Sequence, residues 1–282
     1  MKARVPASSA NLGPGFDALA VALAVYVEVS VEPADHLSVV SEGEGSDLPA
    51  DATHMAARVA TRVAGHDRLS IAVRSQIPVG RGLGSSAALA VAAAAAAGSA
   101  DPIGDGAEVD GHPENAAASV RGGLVAATLV AGRPVVRPLP LDPELLGVLV
   151  VPECPLPTAE ARAVLPALVA HGDAAFNLGR LAVLVAGLAD RAQLVAEALE
   201  DRLHQDARAA LFPEAPAILG DLLGAGALGA CWSGAGPSLL ALTTGTGAAH
   251  VADSGSEALR RHGVPGRVLV VEFDRQGLRL RR

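Results

Sequence analysis

From Gly82 to Ala100 the chain carries no charged residue, and from Ala87 to Ala97 it is almost entirely alanine. Alanine loses no side-chain entropy in a helix, so Ser85–Ala97 reads as a helix of strong propensity. Its small side chains let it pack close against a sheet. The approach to this helix is Pro78-Val79-Gly80-Arg81-Gly82-Leu83-Gly84-Ser85-Ser86-Ala87-Ala88, which runs from a strand into the first helical turn. Free amides there, aided by the helix dipole, can hold phosphate oxygens. The glycines allow close backbone approach, and Ser85 and Ser86 offer hydroxyls to phosphate or to a magnesium ion. A tight turn with a serine N-cap is the plain alternative.

The 282 residues suffice for two lobes or one large domain, and half of them are apolar. Twenty-two basic against thirty acidic residues give a net charge of −8, which repels nucleic-acid backbones and anionic membranes. Aromatics are 2% of the chain, too few for base-stacking platforms. Lys2 is the only lysine, which excludes a Walker A loop and the strand lysine of protein kinases and argues against Schiff-base chemistry. Cys154 and Cys231 form no CxxC, as expected in a reducing cytoplasm. Met1–Pro6 lacks the apolar run expected of a signal peptide, and neither uncharged stretch, Gly82–Ala100 or Leu222–Ala249, is an apolar span of about 20 residues. A soluble, cytoplasmic protein is expected, with no membrane and no nucleic-acid partner.

Strand alternation marks Ala20–Val31, Leu69–Arg74, Gly123–Val130, Pro134–Arg137 and Leu146–Val151. A helix is expected over Thr53–Gly65, capped by Thr53, while Gly98–Gly111 reads as turns. The second half reads as helices at Thr158–Leu165, Phe176–Leu188, Gln193–Leu203, Ala215–Leu223 and Ala248–His262. Strands are expected at Ala230–Ser233, Ser238–Leu242 and Arg267–Phe273. Without a steady βαβ rhythm this is α+β in two lobes, 1–146 and 147–282. Rossmann-type glycine patterns occur at Gly13, Gly82 and Gly224, but a strand follows Gly224 where a helix is needed, and after Gly82 the acid at the right spacing, Asp101, sits in a turn before Pro102.

Two further polar clusters stand out, Pro6-Ala7-Ser8-Ser9-Ala10-Asn11-Leu12-Gly13-Pro14-Gly15-Phe16-Asp17 and Ser233-Gly234-Ala235-Gly236-Pro237-Ser238. Each alone reads as a turn. In this order, with the Pro78–Ala88 loop between them, the three resemble the motifs of the GHMP kinases. Within that superfamily the chain is most similar to the homoserine kinases over nearly its whole length. Gly111-His112-Pro113-Glu114-Asn115, Thr158–Pro166 and Asp201–Arg208 lie outside the shared superfamily motifs and support that branch.

The resemblance implies a GHMP kinase fold, with an N-terminal ribosomal-protein-S5-like lobe that binds ATP and a C-terminal ferredoxin-like lobe. It implies transfer of the ATP γ-phosphoryl group to the side-chain hydroxyl of L-homoserine, a step toward threonine. Pro78 to Ala88 match the phosphate loop: Pro78, Val79, Gly80, Arg81, Gly82, Leu83, Gly84, Ser85, Ser86, Ala87 and Ala88. Ser86 and Asp110 match Mg²⁺ ligands. Asn11, Asp17, His112, Asn115, Thr158, Arg162 and Arg208 match homoserine contacts, with Asn11, Asp17, Asn115 and Arg208 the expected catalytic set. The chemistry agrees, because a zwitterion needs a cationic fork for its carboxylate and an anion for its ammonium.

The family usually shows Glu and Asp where this chain has Asp110 and Glu114. Each swap moves a carboxylate by about one methylene, which octahedral Mg²⁺ tolerates poorly, and Glu108 is an alternative metal ligand. His54 stands where relatives have Asn near the adenine. A mevalonate-type kinase and a non-catalytic ligand-sensing regulator of the same fold are the alternative readings. A homodimer is one expectation among oligomeric states that the sequence leaves open.

Overall fold

The computed structural model describes residues 1–281. In chain order the first half contains β1 (Lys2–Asn11), β2 (Gly15–Pro33), β3 (Ser38–Gly43), α1 (Met55–Ala64), β4 (Leu69–Ser75) and α2 (Ser85–Ala96). It continues with α3 (Pro102–Asp110), α4 (Glu114–Arg121), β5 (Leu124–Val130) and β6 (Arg133–Leu139). The second half contains β7 (Leu145–Pro152), α5 (Thr158–Ala163), α6 (His171–Ala189), α7 (Gln205–Arg208), α8 (Ala215–Gly224) and β8 (Gly229–Trp232). β9 (Leu239–Thr244), α9 (Ala248–Arg261), β10 (Gly266–Glu272) and β11 (Arg279–Arg281) complete it.

The long strand β2 organises the first sheet. β1 pairs along one edge, while β4 takes Val27–Pro33 and β5 takes Leu19–Val21 on the other. One 19-residue strand thus serves two neighbours in succession along that edge. Register shifts at Pro6/Ala7 and Ala10/Asn11 re-aim the end of β1, where its polar cluster begins. β3 joins β4 in parallel and β11 returns to pair with β1.

The alanine helix α2 lies against β1 and β2. Ala87, Ala88 and every residue from Ala90 to Ala96 are buried. The absence of bulky side chains is what lets its backbone sit so near the strands. Its N-terminus is thereby fixed relative to the end of β1.

The second sheet has the order β10-β7-β9-β8, antiparallel throughout. In order of appearance these strands run 4-1-3-2, the ferredoxin-like arrangement. α8 and α9 cover it over a core that includes Val148, Val150, Ile218, Leu222, Trp232, Val251 and Leu259. α6 is long and apolar enough to cross a membrane by length and hydropathy. It carries Asp173 and Arg180, and it buries Asn177, Leu184 and Leu188 against the protein, as a covering helix does.

Several local expectations need correction. α1 is capped by His54, whose Nδ1 accepts from the Ala56 amide at 3.2 Å, and not by Thr53, which is engaged with Asp51. Gly98–Gly111 is not all turn. Asp101 caps α3 through the Gly104 amide (3.0 Å) and Pro102 opens it, so the breakers act here as a helix start. α4, just beyond it, was not anticipated. Gln193–Leu203 is no helix. It holds only short 3₁₀ turns at Arg191–Gln193 and Ala196–Leu199, broken by extended backbone at Leu194, Val195 and Glu200, and Asp201 Oδ1 then takes the Leu203 and His204 amides.

Candidate active site

The three polar clusters interlock at one point between the sheets. Ser8 N donates to Leu83 O at 3.1 Å, Gly234 N to Ala10 O at 3.0 Å, and Ser233 Oγ to Gly82 O at 2.8 Å. Ser233 and Ser9 hydroxyls also meet at 2.8 Å. Glycine is required at the contact. Gly82 has φ +70°, and a Cβ there would stand 2.2 Å from Ser233 O. At Gly84, φ +64°, a Cβ would stand 2.1 Å from Ser8 Oγ.

Around this knot opens a cleft of about 400 Å³. Gly80, Arg81, Gly82, Leu83, Gly84, Ser85 and Ser86 line it, as do Asn11, Asp17, Asp110, His112, Asn115, Thr158, Arg162 and Arg208. Of the expected loop residues, Pro78, Val79, Ala87 and Ala88 do not line it. The last two are buried inside α2. The free amides at the start of α2 face the cleft's floor, where a polyphosphate is electrostatically favoured.

The turn between α3 and α4 carries the acids. Asp110 ends α3, Gly111 closes it in a left-handed conformation, and Glu114 begins α4. Burial, with the Glu114 charge adding, raises Asp110 to about 6 against the pull of His112 and Arg162. Glu114 is 1% exposed, its Oε1 lies 2.6 Å from His112 Nδ1, and its Oε2 has no hydrogen-bond partner among the described residues. Burial lowers the His112 pKa, but the Glu114 contact outweighs it and the net shift is upward. One oxygen each from Asp17 and Glu114 and a ring nitrogen of His112 lie within 4.8 Å of one another.

The unpartnered Glu114 Oε2, with the buried Asp110 carboxylate and the Ser86 hydroxyl in the same cleft, gives a set of oxygens that fits a hard divalent cation. Glu108 does not share in this, since it points outward and pairs with Arg62 beside Asp105.

Asn11 and Asp17 both hold left-handed backbone conformations, φ +74° and +53°. Such strain concentrates at functional sites. The Asn11 amide is engaged at both ends, donating to Gly234 O (2.9 Å) and accepting from Asp17 N (3.1 Å). It thereby fixes where Asp17 stands. Asn115 Oδ1 accepts from Ser8 Oγ at 2.9 Å. Arg162, on α5, makes a two-pronged contact with the Asp17 carboxylate.

Arg208 is 2% exposed and has no carboxylate partner among the described residues. Burial, with Arg162 adding, lowers it to about 10, so it remains charged at neutral pH. Its Nη1 donates to Gly234 O (2.8 Å) and to His204 Nδ1 (2.9 Å). Arginine cannot accept, so His204 carries its proton on Nε2 and donates to Gly13 O at 2.9 Å. Burial lowers His204 to about 4, keeping it neutral. Phe16 stacks on its ring at 5.2 Å.

Reasoning from the sequence missed His204, Ser8, Ser9, Gly234 and the structural part of Glu114. The only available signal for His204 was its position four residues before Arg208.

Family models agree with this geometry. The GHMP kinases N terminal domain matches residues 50–123 and the GHMP kinases C terminal matches residues 184–261. Fold and cleft together are those of a GHMP kinase. Among curated relatives, the homoserine kinase of Mycolicibacterium vanbaalenii is 42% identical over 265 residues, covering 86% of this chain and 84% of that protein. The homoserine kinase of Desulfitobacterium hafniense is 34% identical over 98% of each chain. A crystal structure of homoserine kinase from Cytophaga hutchinsonii superposes with a TM-score of 0.87, at 28% identity, over 99% of this chain and 96% of that one. The chain belongs to the homoserine kinase family of the GHMP kinases.

Proposed function

We propose that the protein transfers the γ-phosphoryl group of ATP to the side-chain hydroxyl of L-homoserine, forming O-phospho-L-homoserine for threonine biosynthesis. The observation that carries this reading is Arg208, a buried cation in the cleft wall whose counter-ion must come from a ligand. Burying a charge is costly unless it is paired, so such a site awaits a carboxylate. Asp17, with Asn11 fixing its backbone, offers the opposite charge for an ammonium. A mevalonate-type acceptor has a carboxylate but no ammonium and leaves the acidic side of the cleft unanswered.

In this reading the loop Gly80–Ser86 cradles the polyphosphate through backbone amides. His112, Asn115, Thr158 and Arg162 complete the homoserine site around Asp17 and Arg208. Asp110 and the Ser86 hydroxyl would hold Mg²⁺, which would supply charge neutralisation for the transferring group. Phosphoryl transfer depends chiefly on positioning and charge stabilisation. The protein's part is to hold the acceptor hydroxyl in line with the donor, and the hydroxyl proton leaves to phosphate or solvent. Residues 1–146 form the nucleotide lobe and 147–282 the second lobe in this scheme, although β7 starts two residues ahead of that division and β11 returns to the first sheet. We place the protein in the cytoplasm.

A coupled assay of ADP release, with and without L-homoserine, tests the reading. Turnover that rises steeply with L-homoserine and stays flat with mevalonate supports it. Nucleotide binding with no response to homoserine would favour a ligand sensor.

A further inference from the structure

Arg81 sits in the middle of the phosphate loop, yet its side chain is turned to the other lobe. Nε donates to Pro152 O at 2.9 Å, Nη1 to Val79 O at 2.9 Å, and Nη2 to Glu153 O. All three nitrogens of the guanidinium are therefore engaged with backbone carbonyls, and Arg81 forms no ion pair among the described residues. A backbone bond runs beside it, from Leu156 N to Gly80 O at 3.0 Å. A Cβ at Gly80 would still sit 3.6 Å from Pro155 Cβ, so the two segments are in close apposition. Both engaged carbonyls of the second lobe lie at the end of β7, and α5 begins at Thr158, five residues beyond Glu153.

We infer that Arg81 is a positioning residue that straps the nucleotide loop to the segment leading into α5, so that the places of Thr158 and Arg162 depend on it. The inference rests on the functional reading above for its kinetic consequence alone. A guanidinium held by three carbonyls is a rigid brace, because its donors lie in one plane at fixed angles. Strands of the two sheets supply the anchors. Val79 and Gly80 follow β4, and Pro152 ends β7. The brace ties the loop side of the cleft to the α5 side, with Arg81 five residues from Ser86 and Glu153 nine from Arg162. Its backbone alone is left to face a nucleotide.

The test is residue-resolved amide hydrogen exchange on the full chain, for wild type, Arg81→Gln and Arg81→Lys, together with KM values for ATP and L-homoserine. In Arg81→Gln the amides of Glu153, Cys154, Leu156 and Thr158–Arg162 should exchange at least about tenfold faster while those of β9 stay unchanged. KM for homoserine should rise at least as much as KM for ATP. Arg81→Lys, which still reaches one carbonyl, should recover part of both effects.

An Arg81→Gln variant with unchanged exchange at 153–162 and a rise in KM for ATP alone would overturn the inference and make the guanidinium a phosphate ligand. Faster exchange spread evenly through β9 would overturn it too, as a general loss of stability. Exchange is read without substrate. A wild-type protein that ignores homoserine while the variant's exchange responds as stated would sink the functional reading and leave the brace standing.

Discussion

Arg162 and Asp17 hold each other across the cleft, with Nη1 and Nη2 3.1 and 2.6 Å from the two carboxylate oxygens. In the proposed function these two groups serve opposite ends of one zwitterion. In the ligand-free protein each serves as the other's stand-in. In the proposed reading homoserine parts this pair, its ammonium going to Asp17 and its carboxylate to Arg162. The exchange would leave the number of ion pairs unchanged or larger.

Arg162→Ala separates function from stability. The pair is about one-third exposed on each side, so losing it should cost less than about 1 kcal/mol of folding stability. Losing a charged bidentate contact to substrate should cut kcat/KM for homoserine about 10- to 100-fold. Denaturant melts beside steady-state kinetics check both. A stability loss matching the activity loss would make the pair a structural one.

Arg208 makes the opposite bargain. A buried guanidinium with no carboxylate partner is unfavourable in the free protein, and an apolar replacement of similar length removes that cost. Arg208→Met is expected to keep or raise the thermal midpoint while lowering kcat/KM for homoserine by about 100-fold or more. A clear fall in the midpoint would show that the fold needs the charge.

His204 orients that arginine through its unprotonated Nδ1. Asn presents an acceptor near the same place, whereas Ala presents none. His204→Asn should therefore retain most homoserine affinity, and His204→Ala should raise KM for homoserine about tenfold or more while KM for ATP stays near wild type. Equal effects of the two substitutions on both substrates would argue for simple packing.

Asp110 gives a pH signature. Burial and Glu114 raise its folded-state pKa from 3.8 to about 6, so the folded protein favours the protonated carboxyl. Its contribution is full below about pH 4 and is lost as pH rises through 6, on the order of 2–3 kcal/mol in metal-free protein. Asp110→Asn should thus stabilise the metal-free protein at pH 7 and flatten that slope. Because a metal ligand must be deprotonated, Mg²⁺-dependent turnover should fall below about pH 6 in the wild type. Melts across pH 4–8 with chelator, and activity across the same range with Mg²⁺, read out each arm.

The two glycines of the loop should separate cleanly. Gly82→Ala drives a Cβ to within 2.2 Å of Ser233 O and should abolish nucleotide binding with several kcal/mol of destabilisation. Gly80→Ala meets nothing nearer than 3.6 Å and should show only the left-handed penalty of about 1 kcal/mol. Fluorescent nucleotide titrations and melts of the two variants check the contrast.

Much of this was legible in the sequence because it was local. The alanine helix, the glycine loop and the alternating strands declare themselves through propensity and period, and the resemblance supplied the cleft. What failed was set by competition. Asp101 and Pro102 turned a glycine-rich stretch into α3. Extended backbone at Leu194, Val195 and Glu200 breaks the apolar run, and Asp201 takes the amides of Leu203 and His204 just after it, so no helix formed at 193–203. A cap was assigned to Thr53 by residue type, but His54 holds the better-placed acceptor. The Asp17–Arg162 pair, the orientation of Arg81 and the role of His204 depend on contacts across 145, 71 and 191 residues of chain, and no local pattern encodes those.

The most direct measurement is a calorimetric titration of the protein, held with Mg²⁺ and a non-hydrolysable ATP analogue, against L-homoserine, N-acetyl-L-homoserine and L-homoserine amide. Grip on both charged ends requires that homoserine bind and that each blocked form lose about tenfold or more in affinity. Equal affinity for all three would contradict the account, because neither Asp17 nor Arg208 would then be reading a charge.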